Sequence, residues 1–165
     1  MKQTIAIIGA AGRYGAEFAK ALATGPYRLL LMDPNQEALP AIQKEISDSG
    51  RQPDVEMISC CKEASWESDI ILFTLPFSER DHLVAKMQEV VTRKTVIFLL
   101  EKPEENALAL LKKQLPYSGI AIVAMYLPAS AGNSERISGN DAEATHTARN
   151  LLQQIHINEI ISSLY

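Results

Sequence analysis

The chain has 165 residues, 47% of them hydrophobic and 22% charged, with a formal net charge of -4. That length suits one domain able to bury roughly two-thirds of its unfolded surface, and the aliphatic, aromatic-poor composition excludes a disordered or fibrous chain. A phosphate-backbone binder usually carries a clustered basic face, and none is visible here, so no nucleic-acid partner is expected.

In chain order, apolar runs of strand length occupy Thr4 to Ile8, Arg28 to Met32, Val55 to Ile58, Asp69 to Leu75, Thr95 to Leu100 and Ile120 to Met125. They read as near-continuous hydrophobics, as strands covered on both faces should. Helical patterns lie between and after them, at about Arg13 to Thr24, Gln36 to Asp48, Glu79 to Val91, Pro103 to Gln114 and Asp141 to Ile155, with a weak short one near Lys62 to Trp66. The alternation implies crossover connections and an α/β fold: a doubly wound, mostly parallel sheet with helices on both faces. Gly25-Pro26 stops the first helix, Ser78 is a candidate cap for the third, and Pro103 suits a first helical turn. Pro40 is a misfit inside the second helix that kinks it or delays its start.

No repeat, low-complexity segment or polar linker divides the chain, so residues 1–165 are expected to form a single domain with no second one. The apolar ending, Ile157 to Tyr165, reads as a final edge strand. Its Ile157, Ile160, Ile161 and Leu164 would then need a covering partner, from which a homodimer is expected. Cys60 and Cys61 are adjacent, and a bridge between them would close a strained ring, so both read as reduced thiols of a cytoplasmic protein. The longest apolar run, about Ile70 to Phe77, falls far short of the ~20 residues a membrane span needs. The start, Met1-Lys2 followed by Thr4 to Ala11, is too short for a secretory leader and ends in a glycine turn.

That turn is the main functional signal. The first strand runs into Gly9-Ala10-Ala11-Gly12-Arg13-Tyr14-Gly15 and directly on into a helix with Phe18, Ala19 and Leu22 on one side. A glycine at the strand end permits the tight turn, one at Gly12 lets the backbone approach a pyrophosphate, and one at Gly15 lets helix and strand pack closely. The amides from about Arg13 onward would face the phosphates, backed by the positive end of the helix dipole. This places a dinucleotide on Gly9, Ala11, Gly12, Arg13, Tyr14 and Gly15, and makes the domain one of Rossmann type. A tight turn without a ligand is the bland alternative.

Asp33 ends the second strand, eighteen residues beyond Gly15. A carboxylate there accepts hydrogen bonds from the adenosine ribose hydroxyls and repels a 2'-phosphate, which favours NAD over NADP. Asp33-Pro34-Asn35 could equally cap the next helix, and both can hold. Were NADP preferred, Arg13 or Arg28 would be the phosphate partner. Thr74, Leu75 and Pro76 end the fourth strand, where the loop should border a dinucleotide bound beyond the carboxyl ends of the strands.

Together these residues resemble the N-terminal domains of dehydrogenases related to 6-phosphogluconate dehydrogenase, especially prephenate dehydrogenase and the deazaflavin-dependent NADP oxidoreductases. The resemblance rests on residues 7–15, on Ser68-Asp69-Ile70-Ile71-Leu72-Phe73-Thr74-Leu75-Pro76, and more loosely on residues 137–144. It implies a cofactor domain and hydride transfer to or from a small metabolite. Prephenate dehydrogenases follow the strand corresponding to Ile120 to Met125 with a His-Pro pair whose histidine assists the oxidation. Here the stretch reads Met125-Tyr126-Leu127-Pro128, and Glu101-Lys102-Pro103 stands where that family has a serine-containing segment.

His82, His146 and His156 have no metal-ligand spacing to one another or to a cysteine pair, so no metal is expected. Glu101, Lys102 and Tyr126 fall at strand ends on the catalytic edge, but solvation or packing accounts for each. No nucleophile and base can be assembled, and the catalytic residues stay unassigned. The leading reading is an NAD(P)-dependent oxidoreductase or the cofactor domain of one. A non-catalytic NAD-binding sensor or scaffold is the alternative, and another nucleotide in a degenerate site is a third reading.

Overall fold

Strands and helices alternate along a seven-stranded sheet of order β3-β2-β1-β4-β5-β6-β7. The computed structural model describes residues 2–48 and 53–164. Its strands are β1 (Gln3–Ile8), β2 (Tyr27–Met32), β3 (Asp54–Met57), β4 (Ile70–Phe73), β5 (Thr95–Leu100), β6 (Gly119–Ala124) and β7 (Ile137–Gly139). Six are parallel, and β7 runs antiparallel to β6. β1 pairs with β2 on one side and β4 on the other, with Ile5 opposite both Leu29 and Ile70. The chain therefore leaves β1 in one direction and later returns to its other side, which opens a crevice beyond the carboxyl ends of β1 and β4.

The helices are α1 (Arg13–Leu22), α2 (Leu39–Ser47), α3 (Cys61–Glu67), α4 (Phe77–Met87), α5 (Ala107–Gln114), α6 (Asn133–Arg136), α7 (Ala142–Gln154) and α8 (Ile157–Leu164). Because side chains of a strand alternate between faces, the sheet feeds two cores. Ile5, Ile7, Leu29, Leu31, Leu99 and Val123 pack with α1, α7 and α8 on one face. Ala6, Ile8, Leu30, Phe73, Phe98 and Ile122 pack with α3, α4 and α5 on the other. Each fully buried Leu or Ile contributes about 1.5–3 kcal/mol, so both layers are held chiefly by aliphatic burial.

Several local expectations need correcting. The ending is helix α8, not an edge strand: Ile157, Ile160, Ile161 and Leu164 are spaced for one helical face, and the first three are buried in the chain's own core. That covering removes the argument for a homodimer built on them. Tyr165, the far end of the expected strand, and Met1, the start of the leader reading, lie outside the described residues. Ser78 does not cap α4, because the helix already begins at Phe77 with Pro76 in the cap position. Pro103 does not open α5, which starts four residues later behind the left-handed Asn106 (φ 58°). Pro40 delays α2 as expected, sitting in its first turn after a 3-10 turn at Gln36–Ala38. The short pieces α6 and β7 carry too few residues for a periodic signal. Among the described residues, no helix is long and apolar enough to cross a membrane.

Candidate functional site

The carboxyl ends of β1, β2 and β4 converge on the glycine turn. The Gly9 and Ala10 amides donate to the Met32 carbonyl, and the Thr74 amide donates to Ile8. Gly9 has φ +100°, a conformation side chains resist, and a Cβ there would lie 2.4 Å from Thr74 Oγ1. A Cβ on Gly15 would come within 2.0 Å of the Gly9 carbonyl oxygen. Both glycines are thus demanded by the fold. Gly12 differs: its backbone is ordinary extended chain (φ -76°, ψ 173°) at the N-cap of α1, and a Cβ would meet only the Gly9 oxygen, at 3.2 Å. That contact is tight, but the fold demands glycine less at this exposed position than at Gly9 or Gly15, while a ligand approaching the first turn of α1 would ask for it as well. The Tyr14 ring is buried in the core, so only its backbone can face that ligand.

Asp33 is 6% exposed, and both its oxygens are engaged by backbone amides: Ala11 donates to Oδ2 at 3.0 Å and Asn35 to Oδ1 at 2.8 Å. The carboxylate therefore ties the β2 exit to the glycine turn and closes a local turn at Pro34, without capping the helix that follows. A carboxylate oxygen offers more than one lone pair, so each retains capacity for a hydroxyl donor. Thr74 turns its hydroxyl into the turn, sharing it between the carbonyls of Ile8 (3.1 Å) and Gly9 (3.0 Å). It shapes the site from behind; Leu75 is buried and Pro76 exposed at the rim.

Farther along the same edge, Leu75, Pro76, Leu99, Leu100, Glu101 and Lys102 border a cleft of about 460 Å³. Glu101 and Lys102 are exposed, and among the described residues neither forms an ion pair. Two charged groups escaped the sequence reading. Arg80, on α4, is buried and grips Glu104 with two parallel bonds of 3.0 and 2.9 Å. Arg136, on α6, is 1% exposed, and its guanidinium donates to the carbonyls of Ala124 (2.9 Å), Leu127 (3.0 Å) and Pro128. Burial lowers its pKa from the ordinary value, with Glu135 acting the other way. Arg136 thus holds the β6 exit, in the stretch that reads Met125-Tyr126-Leu127-Pro128. Neither partnership is sequence-local enough to be visible beforehand. Together with Asp33, these are the three buried charged residues among those described, Glu104 being only partly buried, and all lie toward the carboxyl ends of the strands.

Other candidates fall away from the turn. Arg28 sits at the opposite, amino end of β2 and pairs with Glu56 (2.9 Å) and Glu67 (3.2 Å), so it is no phosphate partner. Arg13 remains at the site, donating to the Leu164 carbonyl. His82, His146 and His156 are exposed, on α4, on α7 and in the link to α8. Beside the β2 end, Met32, Ser59, Cys60, Lys62 and Lys86 border a second cleft of about 530 Å³. Cys60 is exposed there, whereas Cys61 is buried and burial pushes its thiol up to about 11. Since the thiolate is the reacting form, a thiol reagent at mildly alkaline pH is expected to modify Cys60 promptly and Cys61 only on unfolding. Native and denatured thiol titrations check this.

Residues 4–102 match the family described as NADP oxidoreductase, coenzyme F420-dependent. The chain belongs to that family. It is thereby a member of an NAD(P)-dependent oxidoreductase family, and its fold is the NAD(P)-binding Rossmann fold. No curated protein matches this family member. Among solved structures it is similar to a protein described as an F420-dependent NADP-reductase from Arthrobacter sp. FB24 (15% identity, TM-score 0.69, covering 92% of this chain and 80% of that one). A pyrroline-5-carboxylate reductase from Coxiella burnetii is alike at 15% identity and TM-score 0.71, over 94% of this chain and 57% of the other. An imine reductase variant from Myxococcus stipitatus in complex with NAD+ is alike at 18% identity and TM-score 0.69, over 99% and 60%. The chain thus spans less than two-thirds of the last two.

Proposed function

We propose that residues 1–165 form one dinucleotide-binding domain that holds NAD or NADH across the ends of β1 and β4 for hydride transfer with a small partner molecule. The observation that carries this is Gly12, which the fold constrains far less than Gly9 or Gly15, placed where a pyrophosphate would meet the first turn of α1. In this reading Arg13, Tyr14 and Gly15 offer amides to the phosphates, Asp33 meets the adenosine ribose, and the Leu75-Pro76 rim borders the other half. When bound, the nicotinamide supplies or accepts the hydride; the chain's own groups orient it and exclude water. Direct transfer fits better than the histidine-assisted chemistry of prephenate dehydrogenase, because Arg136 occupies itself with the β6 exit and no histidine stands there.

Titration calorimetry with NAD, NADH and NADP tests the binding. Micromolar to sub-millimolar affinity for NAD or NADH is expected, and no heat from any of the three would overturn the cofactor assignment. The alternative, a non-catalytic NAD-binding sensor, draws on the acids and bases bordering that cleft: Glu101 and Lys102 are exposed, and Glu104 is engaged by Arg80. It would be favoured by binding without any change in reduced-nicotinamide absorbance across a panel of carbonyls, imines, hydroxy acids and deazaflavin.

A further inference from the structure

We infer that Arg80 and Glu104 are positioning residues for the nicotinamide half of the dinucleotide, setting the wall that the loop after β5 builds against the β4 exit. The inference rests on the cofactor reading above. Glu104 belongs to the irregular connection between β5 and α5, whose Glu101, Lys102 and Pro103 are exposed. Its carboxylate nevertheless sits 19% exposed and takes two parallel bonds from Arg80, itself 3% exposed. The guanidinium lies over the Phe98 ring of β5, 5.9 Å from its centroid. One ion pair thus binds three pieces of chain: the start of α4, the end region of β5 and the loop.

Stability alone does not call for such a pair, because a buried ion pair loses in desolvation much of what it gains in attraction, and well-packed apolar side chains would hold the loop as well. What a bidentate Arg–carboxylate fork adds is orientation. The sheet order says what is being oriented. A dinucleotide with its pyrophosphate at α1 and its adenosine toward Asp33 on β2 must extend its other half across β4 toward β5. There it meets the cleft between Leu75-Pro76 and Leu99-Leu100, one side of which is the loop that Glu104 anchors.

The test compares NADH with ADP-ribose, which lacks the nicotinamide, by calorimetry on the full chain, on Glu104→Gln and on the double variant Arg80→Met/Glu104→Leu. NADH affinity is expected to fall about tenfold in the variants, since a displacement of order 1 Å in a positioning contact has effects of that size or more, while ADP-ribose affinity stays at the wild-type value. Glu104→Gln removes the carboxylate charge that the buried Arg80 faces; should it not fold, the double variant, which removes both charges, decides. Equal changes for the two ligands, no change for either, or failure of both variants to fold would make the pair merely structural and overturn the inference. Wild-type protein that binds ADP-ribose as tightly as NADH overturns it too. Wild-type protein that binds neither overturns the cofactor reading itself.

Discussion

Gly12→Val is expected to fold and to lose dinucleotide binding by about a hundredfold or more, equivalent to roughly 2.7 kcal/mol. The branched side chain would project from the N-cap of α1 into the path by which a pyrophosphate reaches the first-turn amides. The cost to the fold is moderate: the backbone angles suit any residue, but the added Cβ lies 3.2 Å from the Gly9 carbonyl oxygen, which must give by a few tenths of an ångström, and valine is a much poorer N-cap than glycine, at a cost of about 1 kcal/mol. Glycine substitutions nearby cannot make this distinction. At Gly15 a Cβ would lie 2.0 Å from backbone, and at Gly9 the positive φ adds strain, so loss of binding in either would only report a damaged turn. Thermal melting and calorimetry on Gly12→Val read the two effects separately. A folded variant with unchanged NADH affinity would show that the turn is structural.

How much was legible beforehand follows from the range over which each signal acts. The glycine turn and the place of Asp33 beside it are legible because each is written within a few neighbouring residues, and the parallel strands because burial on both faces leaves a continuous apolar run. The ending was misread because Ile157, Ile160, Ile161 and Leu164 make an apolar segment whose density resembles a strand, although their spacing is helical. The six-strand reading lacked β7, since Ile137-Ser138-Gly139 is a strand only by virtue of β6 beside it. The sequence places Thr74 in a loop bordering the cofactor but does not say where its hydroxyl goes; that it bonds the Ile8 and Gly9 carbonyls depends on a rotamer rather than on residue type. Arg80, Glu104 and Arg136 left no trace in the sequence, because a lone charge in a helix or loop ordinarily means solvent. Their partners arrive only when strand ends are brought to one edge.

Cofactor choice is where charge acts most directly. The family description names NADP, whereas Asp33 argues for NAD. Its carboxylate is fixed by the Ala11 and Asn35 amides beside the glycine turn, so it cannot swing aside cheaply for a 2'-phosphate. Placing that dianion against it costs the ribose hydrogen bonds and adds like-charge repulsion, together about 1 to 3 kcal/mol. Wild-type protein is therefore expected to prefer NAD by about tenfold to a hundredfold. Asp33→Ser removes the charge but also the acceptors of two backbone amides, so NAD binding should weaken and the ratio narrow toward unity. Asp33→Asn, which retains one acceptor oxygen, should narrow the ratio with less loss of NAD affinity. The ratio, measured by calorimetry with both cofactors at one ionic strength, separates repulsion from loosening of the turn, since loosening lowers both affinities together. A wild type that prefers NADP outright would mean that the carboxylate serves only the turn. Arg13, at the first turn of α1, would then be the candidate phosphate partner, because Arg28 is held by Glu56 and Glu67 at the far edge of the sheet.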